Sequence, residues 1–274
     1  MNNEFHKPYL AELYHTEPAV RFYVYPREAL CAEPIFPYLV LDGGAFFLMT
    51  DYLGDAGSDT LLDATLSGRL FDFFRDPSGA LDWCRGYHRS AETGMPKNHE
   101  QQSWPQRLYM LLPLAQKYLI TAEPRYAREW LRILRLWTSD SPYEPLRTEV
   151  AHTDTSMKWR DMQVSWRTCT LIYSLYMLGS HPGAFTREEW AELYPFLDLN
   201  LSHLVADGRR SLQKGLLGNH TLQMGSALVS GGIEFAELPR AREYFSAGMD
   251  ILRACFEKNV MPDGGTREVG PSYN

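Results

Sequence analysis

Beyond residue 104 the apolar residues return every three or four positions, and that period confines the rest of the chain to helices. Leu108, Leu111, Leu112, Ala115, Tyr118 and Leu119 form one such stripe. Pro124 opens a second, with Tyr126, Trp130, Ile133, Leu134 and Trp137. A third runs from about Asp161 to Leu178. Thr186 and Glu189 stand at capping-box spacing ahead of a fourth: the hydroxyl accepts from the amide three residues on, and the carboxylate reaches back. A fifth helix is expected near Asn219 and a sixth from about Arg240 to Val260. Residues 58–76 also read as helical, whereas residues 21–25 and 37–41 read as short extended pieces in an irregular segment, 1–57.

Consecutive helices with broad apolar faces need neighbours on more than one side. They suit a curved array or an α/α toroid over residues 58–274, with the 1–57 segment packed on it; a simple bundle is the alternative. The loop-rich stretches 77–103 and 140–158 fit a bundle poorly, and long loops on one rim commonly build a site.

At 274 residues and 45% hydrophobic content the chain can bury a sizeable core. Its net charge of -7 argues against a nucleic-acid partner. The charge is uneven: residues 104–169 hold ten Lys or Arg against seven Asp or Glu, and residues 1–103 hold eight against fifteen. A local basic wall suits an anionic ligand; the plainer reading is a solvated helix face. Cys169 and Cys255 fall in apolar helical patterns and are expected to be free, buried thiols. The chain opens with no basic-apolar-small leader and holds no apolar run of membrane-spanning length, so a cytoplasmic protein with no membrane partner is expected.

Three groups of residues carry possible chemistry. Asn219 and His220 follow Gly218 at an expected helix start, where unpaired amides favour negative charge. A carboxylate bound there would meet an amide, an imidazole and the helix terminus together; the alternative is that Asn219 only caps the helix. Tyr273 follows a Gly/Pro-rich turn. An amide, an imidazole and a phenol are the groups needed to take a proton from carbon beside a carboxyl group. A phenol with a free pKa near 10 needs a neighbouring cation, and Arg267 or Arg167 is available. On a helix from Asp161, Arg160, Gln163 and Arg167 share one face and form a candidate clamp for carboxylate or sulfate, with Trp159 as an aromatic floor for a sugar ring. Glu268 and His99 extend the candidate substrate-binding set. A metal would have to use His99, Glu100, His152 and Asp154, which lack recognisable ligand spacing, so no metal or other cofactor is expected.

Trp159 to Arg167, then Gly218-Asn219-His220, then Asp263-Gly264-Gly265 with Glu268 and Pro271-Ser272-Tyr273, resemble the heparinase II/III-type polysaccharide lyases, whose relatives include oligoalginate lyases. The resemblance covers about residues 100–274. It implies an incomplete α/α toroid, followed in the family by a β-sandwich that would lie beyond residue 274. It implies β-elimination at a uronic acid of a heparin-, heparan-sulfate- or alginate-like glycan. Asn219 would neutralise the substrate carboxylate, His220 would assist or act as base, and Tyr273 would be the principal acid/base. A glycoside hydrolase on a similar toroid, or a non-catalytic domain that binds anionic glycan, is the alternative.

Overall fold

The computed structural model describes residues 104–143, 157–179, 181 and 183–262, together with 62–63, 65–68, 78–79, 81 and 83. From Trp104 onward the described residues form six α-helices: α1 (Leu111–Thr121), α2 (Pro124–Asp140), α3 (Asp161–Leu178), α4 (Arg187–Lys214), α5 (Asn219–Glu234) and α6 (Ala241–Asn259). Short 3-10 turns, Trp104–Arg107 and Met157–Trp159, precede α1 and α3.

The local signals act as their chemistry requires. Pro124 occupies the first position of α2, where its missing N–H costs nothing. Thr186 caps α4 by accepting from Glu189 N at 3.2 Å, and Glu189 Oε2 accepts from Thr186 N at 2.8 Å. Such a cap contributes about 1 kcal/mol. Gly215 ends α4 in the left-handed region at φ 67°; its N–H donates to Leu212 O, and Leu216 N–H donates to Ser211 O. This Schellman pairing satisfies carbonyls that the helix end would orphan. Of residues 58–76, expected to be helical, Leu62, Asp63, Thr65 and Leu66 are helical and the chain turns at Ser67 and Gly68, where φ reaches 78°; the remainder lies outside the described residues. The extended pieces expected at 21–25 and 37–41 lie outside the described residues.

The helices form three antiparallel hairpins in two layers. Arg107 meets Gln163 at the start of α1 and α3, and Leu119 O meets His181 at their ends, so these two helices run parallel. Trp159 meets His203 and Arg167 meets Asn200, while Thr221 meets Leu216 and Gly231 meets Leu201, so α4 runs antiparallel to both α3 and α5. The inner layer is therefore α1, α3 and α5, all pointing the same way. The outer layer is α2, α4 and α6, pointing the other way, with α4 and α6 matched through Tyr244–Ser202 and the Gly208–Ile251 approach. Arg128–Glu189 at 2.5 Å and Arg135–Glu192 at 2.6 Å join α2 to α4 across the surface. Half-exposed pairs of this kind contribute roughly 0–1 kcal/mol each.

The core runs between the layers through Leu111, Trp130, Trp137, Ile172, Leu204 and Leu228. No described helix is long and apolar enough to cross a membrane. Cys169 and Cys255 are free and buried; burial pushes the Cys169 thiol up to about 12, which leaves it inert.

Candidate active-site rim

Because α1, α3 and α5 are parallel, their N-terminal ends gather at one end of the array. The outer helices finish there. The described chain enters this end at Trp104 and leaves it at Pro262. Gly218, Arg160 and Met110, the N-cap residues of α5, α3 and α1, make no side-chain cap; at α1 the Leu111 and Leu112 amides donate back to Leu108 O and Tyr109 O, and at α3 the Gln163 amide donates to Arg160 O. Helix starts of this kind favour anions.

Asn219 is the first residue of α5, and Gly218 rather than Asn219 holds the cap position. The Asn219 Oδ1 accepts from His220 N at 2.8 Å. Only the oxygen of the amide can accept from an N–H, so this contact turns the Asn219 N–H donors away from the helix end. His220 is exposed beside it. The turn that carries the pair is tied down three times. Lys258 Nζ donates to Gly215 O at 2.6 Å, Asn259 Nδ2 to Leu217 O at 2.5 Å, and Thr221 Oγ1 to Leu216 O at 2.6 Å. Two of these ties come from the end of α6, so the start of α5 and the exit of α6 are held together.

At the start of α3 the expected clamp is corrected. Arg160 is half-buried at the N-cap, but Gln163 and Arg167 point inward, and Arg167 is 0% exposed. Its guanidinium lies over Trp137 at 4.4 Å and over Trp159 at 4.6 Å. The Arg167 Nε donates to Asn200 Oδ1 at 3.0 Å, and one terminal nitrogen donates to the carbonyls of Gln106 and Lys158 at 3.1 and 2.7 Å. Burial without a carboxylate pushes its pKa down to about 9. Trp159, expected as a sugar platform, is 3% exposed; its ring meets Tyr143, Trp137, Phe196 and His203, and its N–H donates to Ser141 O. Both side chains belong to the interior beneath the rim, where a substrate does not reach them directly. Tyr273, Arg267, Glu268 and His99 lie outside the described residues, as do Glu100, His152 and Asp154.

The basic wall divides in two. Arg125, Arg128, Arg132 and Arg135 are paired with Glu123, Glu189, Glu129 and Glu192 on the outer face, which is the plainer of the two sequence readings. Lys158 and Arg160 stand half-buried at the rim, and Arg107 lies beneath them. Arg107 is missing from the sequence-derived candidates. It is buried, and its Nε donates to Gln163 Oε1 at 2.8 Å. A charged residue directly ahead of the apolar run from Leu108 to Leu112 was its only signal.

His203, on α4, is also buried below the rim, with ring contacts to Trp159 and Tyr143. Burial first, then the charges of Arg167 and Arg210, push its pKa down to about 4. The folded state therefore favours the neutral ring. The stability this provides is complete above the unfolded value near 6.5 and is lost as pH falls toward about 4. Over that window the wild type is expected to lose up to about 3 kcal/mol more than His203→Phe, read from denaturant midpoints at successive pH values. Parallel pH curves for the two proteins would refute the assignment.

The described helices thus define an incomplete α/α toroid whose inner-layer helix starts form a polar rim. The family model for the heparinase II/III N-terminus matches residues 57–274, and the chain belongs to that family. Heparin-sulfate lyase of Pedobacter heparinus is 28% identical over 161 residues, spanning 59% of this chain and 23% of that protein. Heparin-sulfate lyase of Bacteroides stercoris is 25% identical over 173 residues, spanning 59% of this chain and 25% of that protein. Among solved structures, heparan sulfate lyase HepC from Pedobacter heparinus superposes with a TM-score of 0.54 at 18% identity, covering 99% of this chain and 41% of that one. The chain therefore spans 23–25% of the length of these two curated relatives.

Proposed function

We propose that this chain forms the toroid part of a polysaccharide lyase that cleaves a uronic-acid-containing glycan of the heparin or heparan-sulfate kind by β-elimination. The observation that carries this reading is the Asn219–His220 start of α5. Its amide donors are oriented by the Oδ1 contact, and its turn is pinned to the end of α6, from which the chain leads toward Tyr273. The family and the heparin-sulfate lyases among the relatives support the same substrate class.

The chemical difficulty is the proton on C5 of the uronic acid, since its removal beside a carboxylate builds a dianion. Asn219 N–H donors take up that developing charge, which lowers the barrier. His220 adds a second donor at the same carboxylate. Tyr273, as phenolate, takes the C5 proton; the C4–O bond breaks as the C4–C5 double bond forms, and the phenol returns its proton to the leaving oxygen.

Ultraviolet absorbance of the unsaturated product tests this. The longest polypeptide that carries this chain is incubated with heparin, heparan sulfate, alginate and other uronic-acid polymers. A rise with heparan sulfate or heparin is expected. New reducing ends without a rise would replace the lyase with a hydrolase, and binding with no cleavage of any polymer would leave a glycan-binding domain.

A further inference from the structure

Arg167 is poorly explained as core filling. An apolar side chain of similar length would pack between Trp137 and Trp159 without burying a charge, and removing buried ions in favour of well-packed apolar groups is often stabilising. The guanidinium does something an apolar group cannot. One of its nitrogens binds the carbonyls of Gln106 and Lys158 together, at 3.1 and 2.7 Å. These carbonyls belong to the two 3-10 turns that lead into α1 and α3. The residue after Gln106 is Arg107, and two residues after Lys158 comes Arg160. Arg107 in turn is bonded to Gln163 on α3.

Everything around this contact restricts its movement. Gln106 is itself fully buried, donating to Trp83 O at 3.0 Å and accepting from Trp137 Nε1 at 2.9 Å. Lys158 is held to Asp140 at 3.0 Å, and Asn200 receives the Arg167 Nε while donating to Phe196 O. The planar fork of an arginine matches two carbonyls and an amide oxygen at once, which a lysine ammonium does with less geometric control.

We propose that Arg167 is a positioning residue of the substrate rim: without touching the glycan, it fixes the turn that leads to Lys158 and Arg160 against the buried Gln106–Arg107 turn, and so places the two half-buried cations that the anionic substrate meets. This rests on the reading of the rim as the lyase cleft.

The test uses Arg167→Met and Arg167→Lys in the longest polypeptide that carries this chain, assayed below the melting temperature of each variant. Heparan-sulfate oligosaccharide serves as both substrate and binding probe. Arg167→Met is expected to raise KM and the oligosaccharide Kd about tenfold while kcat stays within about threefold, because misplaced binding groups cost binding before they cost chemistry. Arg167→Lys is expected to fall between the Met variant and wild type. If Arg167→Met does not fold, a raised KM with retained kcat in Arg167→Lys supports the proposal and unchanged constants overturn it. A folded Met variant with wild-type KM and Kd reduces Arg167 to core filling, and a fall in kcat alone would move its role to the chemical step. Wild type that binds but does not cleave defeats only the lyase reading, and Kd then decides the role of Arg167. Wild type that neither binds nor cleaves defeats both.

Discussion

Asn219→Ala is expected to lower turnover of a heparan-sulfate-like substrate by about 10²–10³-fold, the usual cost of removing one preorganised donor from a developing anion. Binding should change far less, because the ground-state carboxylate still meets the helix start and the rim cations. Tyr273→Phe in the same protein should go further, since it removes the group that both takes and returns the proton; a positioned acid/base contributes roughly 10²–10⁴-fold. The measurement is kcat and oligosaccharide Kd for each variant, with helical circular dichroism as the control for folding. Asn219→Ala with wild-type kcat would take Asn219 out of the mechanism. Parallel loss of binding and turnover in Tyr273→Phe would give that side chain a packing role instead. His220→Ala separates the two duties its imidazole could have: an assisting donor leaves a measurable rate, whereas a base does not.

Gly248→Ala is expected to cost about 2 kcal/mol, even though alanine is the better helix former. A Cβ at Gly248 would stand 2.8 Å from Gly225 O, 2.8 Å from Val229 N and 2.9 Å from Leu228 Cβ. Two of these atoms are backbone of α5, so α6 itself would have to retreat. Gly232 makes the reciprocal approach from α5, where a Cβ would stand 2.7 Å from Phe245 N. Gly208→Ala provides the comparison, because there the new Cβ meets the tip of Ile251, a flexible side chain that can turn aside. Chemical denaturation of the two variants should rank Gly248→Ala clearly below Gly208→Ala. The reverse order would mean that α5 and α6 are less rigidly apposed than described.

The helix positions were legible because their signals are local. Pro124, the Thr186–Glu189 pair and the Gly218-Asn219 junction each act within one turn, and α2, α4 and α5 begin where they indicate. The orientation of α3 was not legible. Arg160, Gln163 and Arg167 do share a helical face, and a charged face is ordinarily a wet one. Here Trp137 and Trp159, from separate segments, close over the guanidinium, and carbonyls distant in sequence receive its protons. Nothing within one turn of Arg167 announces those partners. Trp159 was misread for the same reason: an indole beside charged residues suits a sugar platform until Tyr143, Phe196 and His203 are seen to enclose it. Arg107 stood outside every local pattern because the residue that engages it, Gln163, lies 56 positions away. The Asn219 position at a helix start was foreseen, but not the three ties that hold its turn, since Lys258 and Asn259 reach it from the far end of the partner helix, 43 and 42 positions on.

Those ties bear on when order is acquired. The Gly215–Gly218 turn is immobilised as the chain folds, by side chains of α5 and α6 that have no part in the proposed proton transfer. The loss of rotational freedom at Asn219 is thus incurred once per molecule rather than once per turnover. In the proposed elimination the activation entropy would then reflect mainly the substrate and Tyr273, with the carboxylate-binding side of the cleft already at its final geometry.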